Sequence, residues 1–286
     1  MTSVSVIIPT CNAERYIGAQ LDALMGQTML PNEIIVVDSA SDDATCRIAE
    51  SRGELVQLIR IRRGDFNHGG TRDMALRRSS GEYVLFLTQD ALPTDERYVE
   101  NLVAPLERDT AIAAVCARQM AYPDARDYER LNREFNYPAQ GRVWSSEDIE
   151  QLGVKAYFFS DACSVYRRSS YDAVGGFDDP VETNEDMLIA AKFIHSGFKL
   201  AYEPTAQVFH SHCFSLRQEY ERNKKIASVM TRYRERLVGA NSDREGWRLA
   251  MTVSGQLLRH GKLISFLHFG AVLFARFLGN RAGRRG

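Results

Sequence analysis

Four short apolar runs, at residues 4–8, 33–38, 56–61 and 83–87, are separated by stretches in which apolar residues return at helical spacing, as Ile17, Leu21, Leu24 and Met25 do after the first run. No other feature narrows the fold as much: strands alternating with helices predict a doubly wound parallel sheet. The fourth run, YVLFL, is unbroken, as suits a strand buried on both faces, and it stops abruptly at Thr88, Gln89 and Asp90. A carboxylate at the C-terminal end of a central strand lies on the rim where open α/β sheets bind ligands, although alone it is equally a polar residue ending a strand. Neither GxGxxG nor GxxxxGK[ST] follows any run, which argues against a Rossmann dehydrogenase and a P-loop enzyme.

After Pro93 the alternation loosens. The pattern predicts a helix over residues 96–106, a strand over 112–116, an aromatic and charged segment over 122–138 and a tight turn at Gly175-Gly176-Phe177. A helix follows over 185–196, then short strands over 198–202 and 207–212, and helices over 216–237 and 247–278. At 286 residues and 44% apolar content the chain can bury a substantial core. Its net charge of −1 conceals an asymmetry: residues 217–286 hold 15 Lys and Arg against 5 Asp and Glu. Apolar residues interleave this basic quarter and no reading motif appears in it, so nucleic acid is not an expected partner. The five cysteines are widely spaced with no CxxC pair, which suggests neither a disulfide framework nor a thiolate zinc site and fits a reducing cytosol. The first nine residues lack the basic start and long apolar core of a signal peptide. The longest apolar-rich segment, residues 263–275, contains His268 and falls short of the roughly 20 residues that span a bilayer.

Several polar constellations sit where chemistry is expected. Asp38 ends the second run, able to accept from the imide N–H of a pyrimidine base or to cap the next helix, as are Ser39, Ser41 and Asp42. In GDFNHGGTRD the glycines permit close backbone approach, Thr71 can cap a helix, and Arg72 in its first turn favours an anion such as diphosphate; a plain Gly-rich turn is the simpler alternative. Asp90 is a hard oxygen ligand for Mg²⁺ or Mn²⁺, and His210 and His212, two apart on an extended segment, point to one face and can join it. Glu185 and Asp186 open a helix, where they serve either as ordinary acidic caps or as a base for an alcohol proton.

In order, VSVIIPTCN, EIIVVDSASDDAT, GGTRD, TQD and NED resemble the motif series of the family 2 glycosyltransferases of GT-A fold, over residues 4–212. The resemblance implies an α/β, GT-A-like (Rossmann-like) mostly parallel sheet with flanking helices, plus a C-terminal helical extension. Residues 1–92 would form the nucleotide-sugar-binding half, 93–215 the acceptor-binding half and 216–286 the extension. It also implies that Asp38 contacts the base, Arg72 the diphosphate, Asp90 the metal and Asp186, beside Glu185, the acceptor hydroxyl. Pro9, Thr10, Asn12, Ser39 and Gln89 would line the donor site. Two positions depart from the pattern: Thr88 replaces the first acid of Asp-x-Asp, and Asp73 stands where Asn is common. The combination FNHGGTRD, FLTQDA and FFSDACS is similar to bacterial rhamnosyltransferases that use dTDP-L-rhamnose to build O-antigen. That narrower likeness implies Phe66, Asn67, His68 and Gly69 in the donor pocket and Asp161 on a sugar hydroxyl.

The expected reaction is an inverting transfer to a polyprenyl-diphosphate-linked glycan by a cytoplasmic enzyme at the inner face of the membrane. Residues 262–286 would lie in an anionic interface, or else pack on the body or across a homo-oligomer. Two competing readings are a sugar-phosphate nucleotidylyltransferase, which would need a Gly-rich phosphate loop where PTCNAERY stands, and a non-catalytic nucleotide-sugar scaffold, motivated by Thr88.

Overall fold

The computed structural model describes residues 2–178, 180–239 and 242–285. In chain order the strands are β1 (Val4–Thr10), β2 (Glu33–Ser39), β3 (Val56–Ile61), β4 (Tyr83–Leu87), β5 (Leu92–Pro93), β6 (Ile112–Met120), β7 (Arg142–Trp144), β8 (Cys163–Arg167) and β9 (Lys199–Phe209). The helices are α1 (Glu14–Met25), α2 (Thr45–Glu50), α3 (His68–Arg78), α4 (Tyr98–Arg108), α5 (Asp127–Asn136), α6 (Ile149–Leu152), α7 (Arg168–Ala173), α8 (Glu185–His195), α9 (Leu216–Arg232), α10 (Ser242–Arg259) and α11 (Leu263–Gly283). All these strands form one sheet, ordered β3-β2-β1-β4-β8-β6-β9-β5, with β7 on β9. β1 to β4 pair in parallel, as their alternation with helices requires. β8 then runs antiparallel to both β4 and β6; it is reached through a long excursion containing α5, β7 and α6 rather than one crossover helix, so nothing holds it to the parallel direction. Period-two alternation divides the side chains between two cores. Val4, Val6, Ile8, Leu85 and Leu87 pack with Ile17, Leu21 and Tyr98 on one face, and Ile7, Val84 and Phe86 pack with Leu188 and Phe193 on the other.

Three sequence expectations are corrected. The strands expected over 198–202 and 207–212 are the single strand β9, whose register against β6 jumps between Ala117 and Arg118, opposite Glu203 and Gln207. Pro204 lies in the skipped stretch, where a residue without an N–H interrupts the ladder without ending the strand. The helix expected over 247–278 is two, α10 and α11, broken at Gly261, whose φ of 66° supports the left-handed turn between them. The apolar C-terminal segment is longer than residues 263–275: α11 has 21 residues and is long and apolar enough, by length and composition, to cross a membrane. It continues through Arg276 because Glu219 on α9 takes that charge in a two-pronged pair at 3.0 and 2.9 Å. α11 buries Phe269 and Val272 with Tyr128 of α5 and Val253 and Leu257 of α10, and meets α9 through Gly279 and Gly283. A Cβ at Gly279 would collide with the carbonyl of Tyr220, and one at Gly283 with that of Lys224, so the two helix backbones touch.

Candidate active site

At the end of β4 the chain turns, with Ala91 N–H donating to Thr88 O and Gln20 Nε2 donating to the Thr88 and Ala91 carbonyls at 2.7 and 2.6 Å. It then enters β5, where Leu92 lies opposite Phe209 of antiparallel β9. Continued past the last paired residues, this register sets Asp90 opposite Ser211, so His210 and His212 flank it on one face. Asp90 Oδ1 is 3.5 Å from His210 Nε2, and Oδ2 is 3.4 Å from His212 Nδ1. One ligand atom from each of the three lies within 4.8 Å of the others. Gln119, buried on β6, fixes the tautomer: its Oε1 accepts from Arg133 Nη1 at 2.6 Å and from His210 Nδ1 at 2.8 Å, while its Nε2 donates to Ser160 Oγ. His210 therefore carries its proton on Nδ1 and turns a lone pair on Nε2 toward Asp90. Burial, with the charge of Arg133 and the neighbouring His212, holds the His210 pKa well below its ordinary value. Burial also lowers His212 against the pull of Asp90. A carboxylate with two neutral imidazoles is a donor set that fits a divalent cation, and it supplies what Thr88, whose buried Oγ1 has no partner, does not.

A second cluster forms where α8 begins. Asn184, in the left-handed region at φ 60°, leads into Glu185 and Asp186 in the first turn. Glu185 is buried and accepts from Arg72 Nη1 at 3.1 Å. Arg72 is only 3% exposed, also donates to His68 O, and lies 6.0 Å over the Phe86 ring. Arg72, expected on a diphosphate, is thus turned onto Glu185 in this arrangement, with its Nε left without a partner. The cause is the close packing of α3 on α8, which Gly69 permits: a Cβ there would lie 3.2 Å from Asp178 O and 3.5 Å from Glu185 Cβ. The cap expected at Thr71 is instead Asn67, whose Oδ1 accepts from the N–H of Gly69 and of Gly70 at 3.0 Å. Thr71 Oγ1 in turn accepts from Asn67 N–H, so these first-turn amides are already bonded. His68 is half-exposed and stands edge-on to Phe66.

Asp186 Oδ1 accepts from Met187 N–H at 2.8 Å, and Oδ2 lies 3.4 Å from Asp161 N. Asp161, 2% exposed, accepts from Tyr166 OH and Ser164 Oγ through Oδ1, and its buried Oδ2 has no partner. Burial raises the Asp161 carboxyl, against Arg72 and with Glu185, to about 6. Burial, then the charges of Glu185 and Asp161, push Asp186 well above the ordinary carboxylate range.

The residues expected on the donor side are joined by hydrogen bonds along the ends of β1, β2 and β4. Asp38, 1% exposed, accepts from Thr10 Oγ1 at 3.1 Å and from both N–H and Oγ of Ser41. Asn12, at φ 52°, donates its N–H to Ser41 Oγ and accepts from Asp42 N–H, while Cys11 N–H donates to Gln89 Oε1 at 2.7 Å. Pro9 is buried within β1, and Ser39 is buried with no partner for its Oγ. None of Ser39, Ser41 and Asp42 caps α2, at whose start Asp43 accepts from Thr45 N–H.

His210, His212 and Asp186 open onto one cleft of about 370 Å³, with Arg133 and Arg222 in its wall. Asp38, Arg72, Asp90, Asp161 and Glu185 are not among its lining residues, Asp90 lying behind the two imidazoles. Gln119, Arg133 and Arg222 were not found from the sequence. A Gln inside the apolar strand β6 was the one legible signal, since a buried amide needs partners.

The protein-family model for glycosyl transferase family 2 matches residues 5–175. Among curated proteins, the chain is 37% identical to the O-antigen chain rhamnosyltransferase RfbN of Salmonella typhimurium, over 98% of this chain and 89% of that protein. It is 36% identical to the O-antigen chain rhamnosyltransferase WbaN of Salmonella anatum, over 99% and 90%. Among solved structures it is similar to the mannosyltransferase PcManGT of Pyrobaculum calidifontis in complex with GDP-Man and Mn²⁺, with a TM-score of 0.62, 20% identity, and coverage of 97% of this chain and 86% of that one. It is also similar to glucosyl-3-phosphoglycerate synthase of Mycobacterium tuberculosis with Mn²⁺ and UDP, with a TM-score of 0.58, 18% identity and coverage of 84% and 82%. At these identities the structural likeness is one of fold.

Proposed function

The chain belongs to glycosyl transferase family 2, and from that premise we propose that it is an inverting rhamnosyltransferase, moving L-rhamnose from dTDP-L-rhamnose to a hydroxyl of a polyprenyl-diphosphate-linked glycan in surface polysaccharide synthesis. The donor sugar follows the names of the curated relatives, RfbN and WbaN. The observation that carries the catalytic reading is that a raised carboxylate and the two imidazoles beside Asp90 face the same cleft.

Asp186 takes the proton from the acceptor hydroxyl, whose oxygen forms the new bond to the anomeric carbon. The bond from that carbon to the β-phosphate oxygen breaks on the opposite face, and its electron pair leaves with the nucleoside diphosphate. The raised pKa suits the task, because a stronger base accepts an alcohol proton more readily. Glu185, tied to Arg72, holds the start of α8 in place. Asp90, His210 and His212 would hold a divalent cation, which supplies positive charge to the phosphates of the bound donor. Two nitrogen donors favour a borderline ion such as Mn²⁺ over Mg²⁺. The exposed apolar side chains of α11, flanked by Lys262 and Arg281, support a peripheral position at the cytoplasmic face of the membrane.

The test is release of nucleoside diphosphate from a panel of nucleotide sugars, with and without lipid-linked acceptor. Wild type is expected to turn over dTDP-L-rhamnose fastest, and Asp186→Asn to lose about 10²–10⁴-fold in rate while still binding donor. Near-normal turnover by Asp186→Asn would remove the base assignment. The nucleotidylyltransferase reading is not favoured, given the relatives, and binding without turnover in the wild type would restore the scaffold.

A further inference from the structure

Three arginines reach the wall of the cleft, and two are already occupied. Arg133 pairs with Glu129 at 3.1 Å and donates to Gln119, and Arg276 is held by Glu219. Arg222, on α9, has no ion pair and no hydrogen bond among the described residues. Its guanidinium lies 5.7 Å from the centre of the Phe214 ring, and that ring stacks on His212 at 4.7 Å. A ladder of His212, Phe214 and Arg222 thus runs from the candidate cation site into the cleft. Arg276 and Arg133 bring like charge near Arg222, and Glu219 and Glu129, each paired to one of those arginines, bring opposite charge. A guanidinium on the cleft wall whose neighbouring acids are already taken by Arg133 and Arg276, beside residues suited to a metal, has the chemistry of an anion site.

We infer that Arg222 binds the β-phosphate of the donor's diphosphate, the role for which Arg72 is too deeply buried. This rests on the glycosyltransfer reading above. As the glycosidic bond breaks, the phosphate oxygen keeps the electron pair and the leaving diphosphate gains one negative charge, which Arg222 meets with a charge-assisted hydrogen bond. Residue 222 lies outside the segment matched by the family model, so the assignment comes from the cleft itself.

Calorimetric titration of dTMP and dTDP, with Mn²⁺ present, into wild type, Arg222→Gln and Arg222→Lys tests it. Arg222→Gln is expected to weaken dTDP about tenfold or more while leaving dTMP unchanged, and Arg222→Lys to fall between. Unchanged dTMP affinity and melting temperature show that the variants are folded. Equal dTDP affinity in wild type and Arg222→Gln overturns the proposal, as does equal weakening of both nucleotides. Unchanged dTDP affinity with a raised KM for a lipid-diphosphate acceptor also overturns it, and assigns Arg222 to the acceptor's diphosphate. Wild type that binds no nucleoside diphosphate ends both this inference and the function beneath it.

Discussion

Asp186 is set between two acids and a single buried guanidinium, and its basicity depends on that company. Above about pH 6 Asp161 carries its charge and raises Asp186 further. Asp161→Asn removes that charge while keeping an oxygen for Tyr166 and Ser164, so the Asp186 pKa falls. The acid limb of the kcat/KM profile is then expected to move to lower pH; a shift the other way, or none, would show that Asp161 does not act on the base. Gln119 holds His210, and if His210 is a cation ligand as proposed, Gln119→Leu should raise the Mn²⁺ concentration needed for half-activation about 10–100-fold. An unchanged requirement would remove Gln119 from the site. How much of this was legible varied with range. That His210 and His212 share one face was readable, because a two-residue spacing on an extended segment fixes it. The burial of Arg72 was not, since it depends on how closely α3 meets α8, and Arg222 was unreadable because α9 must fold back over the cleft before that position means anything.

At the level of elements, local pattern foretold β1 to β4 and α8, and long-range register decided the rest. Nothing in residues 199–209 says that β5 pairs there, yet that pairing brings Asp90 to the two imidazoles. The helix pair α9 and α11 shows the same limit: Gly279 and Gly283 are four apart, but their meaning lies in the Tyr220 and Lys224 carbonyls they touch. Gly279→Ala forces the two helices apart, and is expected to cost about 1–3 kcal/mol as overpacking, read as a lowered melting temperature and faster proteolysis at α11. Full wild-type stability would mean that the contact is looser than described.

Across the whole molecule, charge and apolar surface are segregated. Ile264, 86% exposed, with Leu267, Phe274 and Leu278, forms an uncovered apolar face on α11, and the basic excess lies in the same quarter of the chain. Association with anionic vesicles is expected, weakened by salt and by the triple change Ile264→Glu, Leu267→Glu, Phe274→Glu; sedimentation with vesicles that is indifferent to both would place the protein elsewhere. One side of α9 carries Arg222 into the cleft, and its neighbouring side lies backbone to backbone against α11. With no slack between those two surfaces, an enzyme resting on lipid through α11 would hold its reacting atoms at a set height, and an acceptor's chain length, counted up from the lipid, would decide whether its terminal sugar arrives there at all.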